Sequence, residues 1–323
     1  MQRVTMKDVA KAASVSRPTV SRALKRDPQI SVATTARIRR LADEMGYRRD
    51  PAYEVLARQR WGEAQRLRPS VAFLVHADSN MEGYVRGARD CAGRLGYAVN
   101  ALEMTSYPCD RALARVLEAR GIRGLILPIF TERFPAPDLD WRRFAVVACS
   151  VDLVHPPFHV VRTNVVRKVE MAWARLRARG YRRIGIALPH EGPNELDFRR
   201  MAAARQCLAE LPEEDRIPPW CGRFDEQKAL PAWLRRHRPE AVIAGQPSVV
   251  PYLRKSAPPP GARIPLCCLS PAEGCAHLSS NPERIGYTAM SVLHQQLMEN
   301  QFGPPEEPFT VVIEPKWVEA EER

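Results

Sequence analysis

Apolar residues recur at three- and four-residue spacing through the first sixty positions, which is the signature of short amphipathic helices. Met6, Val9, Ala10 and Ala13 share one face of a helix over about Met6–Ala13. Ser14-Val15 then makes a turn, with Val15 as an inward apolar plug. Ser16 suits the N-cap of a second helix, and Pro18 suits its first turn, where a missing N–H costs little. Val20 and Leu24 face inward, which leaves Arg17, Pro18, Ser21 and Arg22 outside. A third helix over 31–45 carries Ile38, Leu41, Ala42 and Met45 and ends at Gly46. A last short helical stretch covers 50–60. This is a helix-turn-helix pattern with a cationic, hydroxyl-bearing second helix. An ordinary antiparallel helix pair with a solvated face has the same periodicity.

Beyond residue 69 the period changes. Apolar runs at Val71–Val75, Tyr97–Leu102, Gly124–Ile129 and Phe144–Cys149 alternate with helical stretches at Tyr84–Leu95 and about Arg111–Arg120. The alternation restarts with Val160-Val161, a helix over Val165–Arg179, a strand at Ile184–Leu188, and helices at Phe198–Leu208 and about Gln227–Arg236. Strands at Ala241–Ala244 and Pro265–Leu269, a helix over Ile285–Leu297 and a strand at Phe309–Ile313 complete the chain. Strands alternating with helices imply doubly wound parallel sheets, and two such halves in series imply two lobes around a cleft.

Charge sharpens the division. Sixteen Lys and Arg stand against seven Asp and Glu in residues 1–68, so +9 of the formal +12 lies there. Such concentration is the electrostatic footprint of a nucleic-acid contact.

Val4-Thr5-Met6-Lys7-Asp8-Val9-Ala10, Val15-Ser16, Thr19-Val20-Ser21-Arg22, Ser31, Thr34 and Gly46-Tyr47 together resemble the DNA-binding headpiece of the lac repressor family of bacterial transcription regulators. Gly180-Tyr181-Arg182-Arg183-Ile184-Gly185 resembles the entry to the second lobe of that family's periplasmic-binding-protein-like core. The resemblance implies an all-α headpiece at 1–49, a hinge helix and linker at 50–68, and an effector-binding and dimerisation core at 69–323. It divides the core into lobe 1 (about 69–160 plus 281–306) and lobe 2 (about 161–280 plus 307–323). It also implies a homodimer on a palindromic double-stranded operator, probed by a small-molecule effector such as a carbohydrate or another polar metabolite.

On the second helix, Arg17 and Arg22 are expected to read bases with two donated hydrogen bonds each, Ser21 to assist, and Pro18 to make only apolar contacts. Thr5, Ser16, Thr19, Ser31, Thr34 and Tyr47 suit phosphate contacts, although Ser16 and Ser31 serve equally as helix caps. By resemblance, Val55, Leu56 and Arg58 belong to a hinge helix entering the minor groove, where Leu56 wedges between base pairs; packing on the core is the alternative.

Ligands in such folds sit beyond the carboxyl ends of the strands. Candidate pocket residues are therefore His76, Asp78, Asn80, Ser150, Asp152, Asn164, Arg200, Phe224, Gln246 and Ser270. Arg200 matches the family's effector-clasping arginine, with a surface salt bridge as the alternative. Where sugar-sensing relatives carry an aspartate, this chain reads Leu269-Ser270-Pro271, so a different sugar, a non-sugar or no effector is implied.

The eight cysteines form no C-x-x-C pair, and free, mostly buried thiols are expected. Cys267 and Cys268 alternate across a strand and cannot chelate together. No nucleophile elbow, phosphate-binding loop or H-E-x-x-H motif occurs, so neither catalysis nor a metal or cofactor is expected. MQRVTMKDVA lacks an apolar signal core, and no run reaches membrane-spanning length, so a cytoplasmic protein is expected. The alternative is a two-lobed small-molecule binder without regulated DNA binding.

Overall fold

The computed structural model describes residues 6–24, 30–45, 69–76, 80–128, 130, 135–149, 157–190, 195–255 and 264–320. The hinge expected at 50–60 lies outside them.

The N-terminal helices are α1 (Met6–Ala12), α2 (Arg17–Leu24) and α3 (Val32–Glu44). Val9, Ala10, Ala13, Val20, Ala23, Ile38 and Ala42 form one small core, with Val15 packed against it. Ser14 has a left-handed φ of 51°. The Val15 amide reaches Ala10 O at 3.1 Å and the Ser14 amide reaches Lys11 O at 3.3 Å. This terminates α1 in a Schellman turn, and the strain at Ser14 is offset by the apolar anchor Val15. Arg37 donates to Ala13 O at 3.2 Å and ties α3 to the same turn.

The body runs β1 (Ser70–Val75), α4 (Glu82–Leu95), β2 (Ala98–Glu103), α5 (Asp110–Ala119), β3 (Gly124–Leu127), β4 (Ala145–Ala148) and β5 (His159–Thr163). It continues α6 (Val165–Ala178), β6 (Ile184–Ala187), α7 (Glu195–Ala209), α8 (Leu230–His237), β7 (Ala241–Ala244), α9 (Val250–Lys255), β8 (Leu266–Cys268) and β9 (Ala276–Ser279). It ends α10 (Pro282–Glu299), β10 (Thr310–Ile313) and β11 (Lys316–Val318).

Six strands form one sheet in the order β10-β5-β4-β3-β1-β2, all parallel. Five form the other in the order β11-β9-β8-β7-β6, parallel except for β11. Both faces of each sheet are covered, as parallel sheets require. Val71, Phe73, Ile126 and Val147 meet α4 and α10, whereas Ala72, Leu74, Leu127 and Val146 meet α5. In the second sheet Ile184, Ile243 and Cys267 meet α6 and α7, while Val242, Ala244 and Cys268 meet α8 and α9. Cys267 and Cys268 thus serve opposite cores, as their alternation implies.

Sheet membership moves two lobe boundaries from their expected places. β5 and β10 both belong to the first sheet, so that sheet's strands run to Thr163 and Ile313, a few residues beyond the boundaries expected at about 160 and 306. Two short strands, β9 and β11, escape the hydrophobic pattern altogether. The helix expected from Gln227 is a 3-10 turn over Phe224–Ala229, and α8 proper starts beside Pro231, whose ring favours the first turn.

α4 and α10 approach so closely that a Cβ added at Gly87 would lie 1.9 Å from Glu283 O, and one at Gly286 1.9 Å from Tyr84 O. Glycine at both positions lets the two backbones touch.

Candidate functional site

Two separate regions carry the polar chemistry. The first is the outer side of α2 and the starts of α2 and α3. Thr19 N donates to Ser16 Oγ at 3.3 Å, and the Ser16 and Thr19 hydroxyls are 2.8 Å apart. The same unit recurs at α3: Thr34 N donates to Ser31 Oγ at 3.2 Å, and Ser31 Oγ donates to Thr34 Oγ1 at 2.8 Å. Ser16 and Ser31 therefore cap their helices, and Ser16 and Ser31 remain exposed. Arg22 is exposed on α2. Arg17, Pro18 and Ser21 lie on α2 by backbone, and their side chains fall outside the described structure. Thr5, Tyr47, Val55, Leu56 and Arg58 lie outside the described residues.

The second region is the lobe junction. The chain crosses between sheets after β5, after β9 and after β10. Those three strands leave their sheets at their carboxyl ends, and each sheet's parallel strands point the same way. The loops after the strands of both lobes therefore converge on the crossovers, which is where ligands bind in open α/β sheets. His76 follows β1, is buried, and meets Phe130 edge-on at 5.8 Å. Gln246 and Ser270 are half-buried beyond β7 and β8. Asn80 is exposed before α4.

Asn164 has a structural task. Its Oδ1 accepts from Arg167 N at 3.0 Å, capping α6, and its Nδ2 donates to Glu314 Oε1 at 3.1 Å. It thereby ties the first crossover to the last. Arg200 is 4% exposed on α7 and pairs with Asp197 at 3.6 Å, so it is an interior cation rather than a surface one. Phe224 is placed by backbone only. Asp78, Ser150 and Asp152 lie outside the described residues.

Lys168 was not anticipated by sequence reasoning. It is 2% exposed, and Nζ donates to Leu269 O at 2.9 Å and to Ser280 Oγ at 2.7 Å. Burial pushes its pKa down to about 7, with the Arg200 charge adding to the effect. Ser280 is also hydrogen-bonded to the Tyr84 hydroxyl, whose pKa burial raises to about 12. A polar chain thus runs from α4 of lobe 1 through the second crossover to α6 of lobe 2. The signal for Lys168 was its register: Val165, Lys168, Val169, Ala172, Trp173 and Leu176 make one buried stripe.

Among the described residues no group of three or more His, Cys, Asp or Glu side chains is arranged to hold a metal, and all eight cysteines are free thiols. None of the described helices is long and apolar enough to cross a membrane.

A family model described as "Bacterial regulatory proteins, lacI family" matches residues 5–50. Residues 5–50 thus match a lacI-family DNA-binding domain. The match spans α1, α2 and α3 and lies within the basic segment 1–68.

Solved structures share the fold over the whole chain. The transcriptional regulator CelR in its cellobiose complex is 20% identical with a TM-score of 0.55, covering 98% of each chain. The Lac Repressor bound to ONPG is 17% identical with a TM-score of 0.52, covering 98% of this chain and 99% of that one. A LacI-family regulatory protein from Chloroflexus aggregans is 16% identical with a TM-score of 0.58, covering 80% of this chain and 99% of its own. No match is found among curated proteins. The lacI-family domain is thus joined to a two-lobed α/β body of the same fold as these regulators.

Proposed function

We propose that this chain is a transcription regulator, most simply a repressor, that binds a palindromic operator as a homodimer and is controlled by a small molecule. The observation that carries the reading is the lacI-family domain over residues 5–50, with Arg22 exposed on α2 and a concentrated positive charge. Arg17 and Arg22 are assigned to guanine edges, Pro18 and Ser21 to apolar and hydroxyl contacts beside them. Thr5, Ser16, Thr19, Ser31, Thr34 and Tyr47 position the domain on phosphates. Val55, Leu56 and Arg58 are assigned to a paired hinge in the minor groove, which needs two copies of the chain.

CelR is solved with cellobiose, and a LacI-family CCPA from Weissella paramesenteroides with glucose. By analogy, the lobe junction here takes the effector, and lobe movement changes how two hinges pair. Coupling of roughly 1–3 kcal/mol between effector and operator is typical of such systems. The protein is assigned to the cytoplasm, where its operator is, and no catalytic step is assigned to it.

Selection of bound sequences from a random duplex library with the purified full chain tests this reading. A palindrome with a deformable centre, weakened by Arg22→Ala and Leu56→Ala, is the expected result. Salt-sensitive binding to every sequence alike would overturn it.

A further inference from the structure

We propose that the effector is a small organic anion whose carboxylate or phosphate group is held by Lys168 and Arg200 at the lobe junction. The inference rests on the reading of the body as an effector-sensing unit.

Both cations are interior, on different helices that pack together: Lys168 on α6 is 2% exposed and Arg200 on α7 is 4% exposed. They are close enough for the Arg200 charge to oppose that of Lys168. Arg200 has an acid beside it, Asp197 at 3.6 Å. Lys168 donates to Leu269 O and Ser280 Oγ, both neutral, and among the described residues no carboxylate pairs with it. An ammonium group carries three N–H bonds, so one remains for a ligand oxygen. Burying a cation without an anion is costly, and an apolar side chain would complete the stripe of α6 without that cost. A ligand anion supplies the countercharge that no described residue gives Lys168; a neutral sugar does not.

The place also fits. Leu269 follows β8 and Ser280 follows β9, so Nζ lies among the strand ends that converge on the crossovers. The sequence there, Leu269-Ser270-Pro271, offers no carboxylate to compete. Among the described residues, the groups near Lys168 are Arg200 of α7, itself paired with Asp197, the Cys268 thiol at the end of β8, and Ser280, behind which stands the Tyr84 hydroxyl of α4. With the ammonium poised near neutrality, anion binding draws a proton onto Lys168 from solvent.

The test is calorimetry and thermal melting of the full chain with inorganic phosphate, D-gluconate and D-glucose, at pH 7.5 and matched ionic strength, in Hepes and in Tris. At least one anion is expected to bind saturably and raise the melting temperature, with an enthalpy that differs between the two buffers because a proton is taken up. Glucose is expected to do neither. Phosphate alone responding assigns a phosphate ester, gluconate alone a carboxylate. Lys168→Met, of similar length and apolar, is expected to weaken the anion at least about tenfold while keeping the far-ultraviolet circular dichroism of the parent. Lys168→Arg keeps the charge and is expected to retain binding, which covers the case in which Lys168→Met fails to fold. Neither anion binding, or equal binding by wild type and Lys168→Met, overturns the proposal. A selected palindrome from a chain that ignores both anions would sink this inference and leave the regulator reading intact. Saturable anion binding without a palindrome would do the reverse.

Discussion

Replacing Gly286 by alanine adds one methyl group where α10 crosses α4. That methyl would sit 1.9 Å from Tyr84 O and 2.7 Å from its carbonyl carbon, where Cβ contacts under 3.0 Å essentially never occur. Gly87→Ala meets the same obstacle from the other side, 1.9 Å from Glu283 O. The obstructing atoms are helix backbone and cannot rotate away, so the helices must part by about 1 Å. Parting them loosens Val85, Ala88 and Cys91 from Ile285, Ala289 and Leu293 in the core beneath. Overpacking usually costs about 1–3 kcal/mol, and a rigid obstacle places each variant at the upper end. For a body of this size that is a fall in melting temperature of roughly 6–12 °C. Gly93→Ala is the internal control: it lies on the same α4, with nothing within 4 Å of its added Cβ. Alanine there gains about 0.5–1 kcal/mol from reduced backbone freedom in the unfolded chain, so the melting temperature should rise slightly. Thermal melts followed by circular dichroism decide. Gly286→Ala within about 2 °C of wild type, or Gly93→Ala falling as far, would refute the close-contact reasoning.

Arg22→Ala should cost about 1–3 kcal/mol of operator binding and relax preference at one base pair per half-site, read by fluorescence anisotropy at fixed salt; an equal loss on random duplex would contradict base reading. Ser31→Ala removes the α3 cap and should cost about 1 kcal/mol, seen as faster amide exchange over 32–38; unchanged exchange would show that the cap is dispensable. Lys168 has a folded pKa of about 7 against 10.5 unfolded, so between those values the unfolded chain holds the extra proton and stability rises with pH. Lys168→Met should abolish that rise and be the more stable protein at pH 6; parallel pH slopes for the two proteins would count against it. Glu240 accepts from Arg182 N at 2.6 Å and Arg183 N at 3.1 Å, which holds its carboxyl below the usual 4.5. Its contribution is present above that pH and lost as acid protonates the folded form, so Glu240→Gln should blunt acid unfolding in a pH titration, and an unchanged acid limb would exclude it.

The helical headpiece and most of the α/β alternation were legible because their cores are one-sided or sandwiched in regular register. Val9, Ala10, Ala13 and Val20 announce their helices by spacing, and Gly124–Leu127 and Ala145–Ala148 are apolar throughout because both faces are covered. β11 was not legible. It is an edge strand of three residues in which the exposed Lys316 and Val318 flank the half-buried Trp317, too short for any period to register. The lobe boundaries were displaced because β5 and β10 pair with each other across a long sequence gap, and pairing partners leave no mark on either strand alone. Arg200 was singled out through resemblance and proves to be buried, but Lys168 reads as one more surface charge beside Arg167 unless the helix register is followed. Asn164 was expected among the pocket residues; its cap on Arg167 N is local, but its bond to Glu314 depends on a residue 150 positions away.

The three crossings between the sheets have a consequence for how the chain is made. As synthesis proceeds, the second lobe holds all four of its parallel strands once residue 279 has appeared. The first lobe, begun two hundred residues earlier, must wait. Its sheet lacks β10 until residue 313, and the face shared by α4 and α10 has only α4 over it until residue 299. The half that starts first therefore finishes after most of the other, and its exposed Phe73, Ile126 and Val147 are the surface a nascent chain must keep from sticking. Truncation after Phe309 would remove little mass but would leave the first sheet without its edge strand β10 and the second without β11.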